Sequence, residues 1–362
     1  MIRIYTPGFA DKSNTNAQNL TIKEVVSRLP PEKFHVTINH SGEPDPRIAS
    51  RLNTRLIQWK RHGNTARVMA RLLLHPPDIY FFPSFGPLDA AYLQMRDLLR
   101  LRTAGLAYVV GNAGLAPLPP TMERWVRSSD VVMAVSAFAA ECAQKHLGVQ
   151  AGVIHDGVDA RYFFPPDNPV RKGPLVVLYA GSFQKYKRPE IVVQQAARQP
   201  DVLFRMAGQG PLLESCKALA ASLGCQNITF AGHLSSSDLG EEMRRASLFL
   251  FPSIIEGHPQ VLGQAAASGL PCIAMEIYRP DYVVHNTTGF LVSSDAELAA
   301  RLDTLLDDAS LRQSMSLAAA EHSKLFDWDK IAGQWANAME RVAHGRRSSR
   351  RTGAMNPAPR IR

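Results

Sequence analysis

Short apolar runs recur along this 362-residue chain, each followed by a glycine or polar loop and then by a helical pattern. Candidate strands fall at 2–5, 34–38, 78–82, 106–110, 131–135 and 152–154, and again at 175–180, 202–206, 228–230, 248–251 and 272–275. Strands that alternate with helices leave little choice but parallel sheets covered by helices on their faces. Between the two series stands a joint rich in proline, Phe164-Pro165-Pro166 to Pro169, where fixed φ angles and missing donors interrupt the pattern. The expected architecture is therefore α/β, with two Rossmann-like parallel-sheet domains side by side. Helices are expected at 189–199, 211–223, 237–246 and 260–268, and past Gly289 the chain reads as mostly helical. Ser136, directly after a strand, is placed to cap the helix that runs through Phe138 to His146. Ligands of such sheets bind outside the carboxyl ends of the strands, so chemistry belongs in the loops that follow them.

Bulk properties narrow the class. A chain of this length exceeds one ordinary core, and 45% apolar with 20% charged residues is a globular balance. No stretch approaches the roughly 18 uncharged apolar residues of a membrane-spanning helix. The four cysteines (Cys142, Cys216, Cys225, Cys272) show no metal-ligand spacing, and a reduced, cytoplasmic protein is expected. Net charge is +9, and seven arginines with no acid fall within 341–362. The tail from 344 to 362 is expected to be disordered, either simply solvated or drawn to anionic lipid at the inner face of the membrane. No specific nucleic-acid partner is expected. Between 51 and 74, Arg51, Arg55, Lys60, Arg61, Arg67 and Arg71 stand without an acid, interleaved with apolar residues. This reads as a pair of basic amphipathic helices that either packs on the first sheet or rests peripherally on an anionic membrane.

Three loops of the second half carry chemistry. Gly181-Ser182-Phe183-Gln184-Lys185-Tyr186-Lys187-Arg188-Pro189 follows the 175–180 strand, with three cations ahead of a helix start, a setting suited to a diphosphate. Gly208-Gln209-Gly210-Pro211 follows the next strand, a weak signal on its own. Glu256 lies in the loop after the 248–251 strand, and the turn Gly257-His258-Pro259-Gln260-Val261 opens a helix whose first N–H groups can receive phosphate oxygens. Gln264 sits one turn further in. In the first half, Gly8 with Asn14 and Thr15 forms a polar stretch after the first strand that either meets an acceptor hydroxyl or caps the next helix.

From about Ile154 to Trp335 the chain resembles the retaining glycosyltransferases of the GT-B fold, sequence family four (glycosyl transferases group 1). The resemblance rests on Asp156-Gly157-Val158-Asp159, the 181–187 loop, Met206-Ala207-Gly208-Gln209-Gly210-Pro211, Phe230-Ala231-Gly232, and Phe251-Pro252-Ser253 leading to Glu256-Gly257. Ala266-Ala267-Ser268-Gly269-Leu270-Pro271 and Thr288-Gly289-Phe290-Leu291-Val292 complete it. It implies an acceptor-binding domain over 1–165, a nucleotide-sugar domain over 166–326 that faces it across a cleft, and a helix over 327–343 that returns to the first domain. It further implies Lys187 as the diphosphate lysine and Glu256 as the group set against the donor sugar. The site is expected to be lined by Gly181, Ser182, Lys185, Arg188, Gly208, Gly210, Gly257, His258, Pro259, Gln260, Val261 and Gln264, with Asn112 on the acceptor side. No resident cofactor and no metal are implied, because no pair of acids in the metal-binding style stands near these loops.

Three positions depart from the family pattern. Ser182 replaces the arginine that partners the lysine, Gln264 replaces a second glutamate, and Gly111-Asn112-Ala113 stands where a histidine faces the donor sugar. The function implied is transfer of a hexose-type sugar from a nucleotide diphosphate sugar to an acceptor that the residues do not name. A glycan, a lipid-linked molecule or a small molecule would each suit cell-surface polysaccharide or glycoconjugate synthesis. A degenerate, non-catalytic subunit and a GT-B sugar-nucleotide epimerase are the alternatives.

Overall fold

The computed structural model describes residues 1–12, 17–59, 64–81, 87–109, 120–167 and 173–348. The chain divides into two compact units, one of Met1–Asp156 joined by the chain from Trp328 onward, the other Gly157–Asp327. Each is built on a parallel sheet. In the first unit the strands are β1 (Ile2–Phe9), β2 (Phe34–His40), β3 (Thr54–Gln58), β4 (Ile79–Phe81), β5 (Ala104–Val109), β6 (Val131–Ala134) and β7 (Gly152–Val153), in the order β3-β2-β1-β4-β5-β6-β7. β4 and β5 are buried along their whole length, as central parallel strands covered on both faces must be. Ser136 caps the helix Ala137–Leu147, accepting from the Ala139 N–H at 3.1 Å, and Gly148 ends it in the left-handed region at φ 65°.

The helix Trp328–Ser348 completes the core of the first unit. Trp335 is fully buried, with ring centroids 5.1 Å from Phe81 and 4.9 Å from Tyr108, both edge-on. Ion pairs of Arg28 with Asp329 (2.7 Å) and Lys33 with Glu340 (2.9 Å) border the contact. The helix outruns its expected end at 343, and residues 349–362 lie outside the described residues.

The second unit carries β8 (Val176–Ala180), β9 (Leu203–Ala207), β10 (Ile228–Gly232), β11 (Leu248–Phe251), β12 (Cys272–Met275) and β13 (Gly289–Val292), in the order β10-β9-β8-β11-β12-β13. From β8 the chain first builds outward through β9 and β10, then returns to the other side of β8 with β11. The strand order therefore reverses between β8 and β11, which makes their carboxyl ends the switch point of the sheet.

Four readings of the sequence change. Among the described residues the stretch 51–74 is not a helix pair, since Thr54–Gln58 is the edge strand β3 and the helix is Asn64–Leu74. Leu56 and Ile57 look like a helix face, but pairing with β2 wins because Asn53 turns the chain at φ 56° and the register of β2 accepts it. The short strand β13 is one that the sequence pattern does not show, ahead of the helices expected past Gly289, which form. Gly8 lies within β1 rather than in a loop, at an irregularity of the ladder between Thr6 and Phe9. Finally, the segment after Asp156 packs as part of the second unit. The Val158 N–H donates to the Phe326 carbonyl at 2.7 Å, Phe163 is buried, and Pro165 lies beside Gly269. The boundary thus falls ahead of the proline-rich joint, because apolar side chains on either side of Tyr162 find their contacts in the second unit.

Truncating Trp335 to alanine removes the central ring of the first unit's core, and a loss of about 3–5 kcal/mol is expected. Urea unfolding followed by tryptophan fluorescence and circular dichroism will show the earlier transition.

Candidate active site

At the switch point of the second sheet, Lys187 and Glu256 meet. Lys187 follows β8 on a single 3-10 turn, Lys185–Lys187, and Glu256 follows β11. The Lys187 ammonium lies 2.5 Å from Glu256 Oε1 and faces the rings of Phe251 (5.1 Å) and Tyr186 (5.5 Å). The two side chains are only 15% and 10% exposed, so each charge depends on the other, or on a ligand, for compensation. Ser253 is fully buried in the same turn. Its hydroxyl donates to Glu256 Oε1 at 2.5 Å and is 3.3 Å from the Tyr186 carbonyl. The Ile254 N–H also donates to the Tyr186 carbonyl at 3.0 Å, which ties the Glu256 loop to the Lys187 turn. Ser253 belongs among the site residues, although the sequence reading set it only within the motif. Its position three residues before the acid, at the end of a buried strand, was the available signal.

Two phenols back this pair. Tyr278 and Tyr179 are buried, and both are held well above the ordinary phenol range, first by desolvation; the Glu256 charge adds to it in each. Both therefore stay protonated. Tyr179 donates to the Ser182 carbonyl at 3.2 Å, fixing the start of the 181–188 loop.

The neighbouring cations do different work. Arg188 adopts the left-handed region at φ 52°, just ahead of the helix Pro189–Arg198, and its guanidinium pairs with Asp295. Lys185 is exposed and has no partner among the described residues, so it is the cation of this loop left available beside Lys187.

The glycines of the second loop hold the site together. Gly208 and Gly210 have φ of 138° and 155°. A Cβ on Gly208 would stand 1.9 Å from the Gly181 carbonyl oxygen, and one on Gly210 would stand 2.7 Å from the Phe183 nitrogen and oxygen. Their absence of side chain lets the loops after β8 and β9 bond backbone to backbone, Gly181 N to Ala207 O at 3.0 Å and Phe183 N to Gln209 O at 2.9 Å.

The helix Gln260–Ala267 opens at Pro259 with no side-chain cap, leaving its positive end directed from the Glu256 turn. Gly257 and Val261 are partly exposed there, and Gln264 is half-buried one turn along. His258 is turned inward instead: its side chain is fully buried, with the ring 4.0 Å from that of Tyr282 and tilted 33° to it. The same tyrosine explains Gly263, where a Cβ would stand 2.5 Å from its ring. In the first unit, a Cβ at Gly8 would stand 2.3 Å from Ile22, so this glycine admits the helix Ala17–Arg28 against β1. Asn14, Thr15 and Asn112 lie outside the described residues.

Two parallel sheets, with a lysine–glutamate pair and a helix without a side-chain cap at the switch point of the second, form a doubled Rossmann-like frame. Residues 161–322 match the family model described as Glycosyl transferases group 1. Among curated relatives, the D-inositol 3-phosphate glycosyltransferase of Streptomyces avermitilis is 28% identical over 276 residues, 66% of this chain and 60% of that protein. Its counterpart in Mycobacterium marinum is 32% identical over 217 residues, 54% of this chain and 47% of its own length. The matches thus span less than two thirds of these relatives. Among solved structures, sucrose-phosphate synthase of Thermosynechococcus elongatus superposes with a TM-score of 0.78 at 17% identity, over 95% of this chain and 100% of that one. Anabaena Alr3699/HepE in complex with UDP and glucose gives 0.76 at 16%, over 94% and 100%. At such identities these likenesses establish the fold, the two Rossmann-like domains of GT-B proteins.

Gly208→Ala is expected to cost at least roughly 2 kcal/mol, combining a forbidden contact with a strained φ. Gly224, at φ 70° with open space around its Cβ position, is the control, and its alanine variant is expected to lose about 1 kcal/mol. Shifts of the urea midpoint measure both.

Proposed function

We propose that this protein is a retaining, metal-independent glycosyltransferase that moves a hexose-type sugar from a nucleotide diphosphate sugar to a hydroxyl acceptor. The observation that carries this reading is the Lys187–Glu256 pair at the switch point of the second sheet. In the loaded site Lys187 turns from Glu256 to the diphosphate, and the carboxylate so released accepts hydrogen bonds from the sugar. As the bond between C1 and the diphosphate oxygen breaks, the bonding pair leaves with the phosphate. Lys187, Lys185 and the helix end at Gly257–Val261 stabilise that charge, an electrostatic contribution already in place before reaction. The acceptor oxygen bonds to C1 on the face the phosphate leaves, and its proton passes to a phosphate oxygen. Glu256 positions the sugar and forms no covalent bond to it. Gln264 holds ribose hydroxyls through neutral hydrogen bonds, weaker than those of a carboxylate. No resident cofactor enters the scheme.

Alr3699/HepE has been solved with UDP and with UDP-glucose, which supports uridine diphosphate sugars as the first donors to test. The relatives named for D-inositol 3-phosphate support polyol phosphates among the acceptors, beside glycans and lipid-linked molecules. The reading includes a peripheral contact with an anionic membrane through the 51–74 stretch; none of the described helices is long and apolar enough to cross one.

A screen of UDP-, GDP- and ADP-sugars by thermal shift, followed by release of nucleoside diphosphate, tests the proposal. A true donor raises the melting temperature, and Glu256→Gln and Lys187→Gln are expected to lower kcat by about 10²–10³-fold. Ser253→Ala, which frees Glu256 to swing, is expected to lower kcat by roughly tenfold with donor KM little changed. A folded protein that binds no nucleotide sugar overturns the reading, and binding without turnover for any acceptor favours the non-catalytic subunit.

A further inference from the structure

The outer edge of the first sheet carries positive charge that its surroundings do not balance. β3 is the edge strand, and its register sets Arg55 opposite Thr37. Side chains alternate along a strand, so Arg55 shares a face with His35, two residues before Thr37 on β2. The helix Asn64–Leu74 brings Arg71 to the same place. His35 is held below its ordinary value by burial first and then by Arg55, Arg51 and Arg71, and Arg71 is itself lowered by burial and then by Arg55. Arg51 is committed to the fold, donating to the Leu29 and Phe34 carbonyls, with Glu32 as the acid acting on it. Arg55, Arg67 and Arg71 have no ion-pair partner among the described residues. Elsewhere in this unit Arg28, Arg47, Arg96 and Arg127 face carboxylates. Two large apolar side chains flank it, Leu52 at 73% and Leu74 at 76% exposed.

Crowded cations without counter-charge cost free energy that a bound anion recovers, and exposed leucines beside them favour an amphipathic surface over a purely polyanionic one. We propose that this edge, through Arg55, Arg67 and Arg71 with Leu52 and Leu74, docks on a membrane bearing anionic phospholipid. This refines the membrane contact of the proposed function and is separable from the chemistry at Glu256.

The test is co-sedimentation of the full chain with vesicles of phosphatidylcholine alone or with about 30% phosphatidylglycerol. Preferential binding to the anionic vesicles, weakened roughly tenfold or more in the Arg55→Glu/Arg71→Glu variant, is expected. Arg55→Gln/Arg71→Gln and Leu52→Ser/Leu74→Ser are expected to weaken it less, with unchanged thermal unfolding and unchanged nucleoside diphosphate release in solution. Equal binding to both vesicle types would refute the proposal. So would binding that survives the arginine reversal but vanishes when the arginines of 346–362 become glutamine, or a preference for poly(U) RNA with no gain on anionic vesicles. Failure here leaves nucleoside diphosphate release intact, whereas failure of the transferase reading leaves vesicle binding intact.

Discussion

The reversal of strand order between β8 and β11 is the constraint on which the candidate site depends. Both strands are buried, and the loops leaving their carboxyl ends have to diverge, one toward the helix at Pro189 and the other toward the helix at Gln260. That divergence opens the gap in which Lys187 and Glu256 face each other. The glycine contacts between the loops after β8 and β9 then set the height of the Lys187 turn, and Ser253 sets the direction of the Glu256 carboxylate. The charged pair is thus the end point of sheet topology, backbone packing and one buried hydroxyl acting in sequence.

This arrangement satisfies each charge before any ligand arrives. A partly buried ammonium and carboxylate would each pay a desolvation cost alone, and their ion pair offsets it. A phosphate that engages Lys187 must compete with Glu256, while the carboxylate so released needs donors of its own. Sugar hydroxyls beside a diphosphate supply both requirements, whereas either one alone supplies half. The pair is in this sense suited to a molecule that carries an anion and several hydroxyls a short distance apart.

Much of this was legible in the sequence, for identifiable reasons. Buried parallel strands such as Leu248–Phe251 are uniformly apolar, and the loops after them carry motif residues at fixed spacing, so the second unit could be read almost strand by strand. The edge strand Thr54–Gln58 could not, because an edge strand is only half covered and its mixed basic and apolar residues fit a helix face equally well. β13 opens on Gly289, a residue depleted in strands, which weakened its signal. Gly8 looked like a loop glycine because no one-dimensional pattern reveals that Ile22 closes on it from a helix. The inward turn of His258 was equally invisible, since it depends on Tyr282, which lies far along the chain from the motif.

The closing helix has a consequence for how the chain reaches this state. Trp335 lies against Phe81 and Tyr108 in a core otherwise made by the opening part of the chain. During synthesis residues 1–156 therefore emerge with an apolar slot that they cannot fill themselves. The second unit, whose segment from Gly157 to Asp327 is unbroken, can close before the ribosome has supplied the helix that begins at Trp328. The order of assembly thus runs opposite to the order of emergence, and the half made first is the half that stays longest in need of protection from other chains.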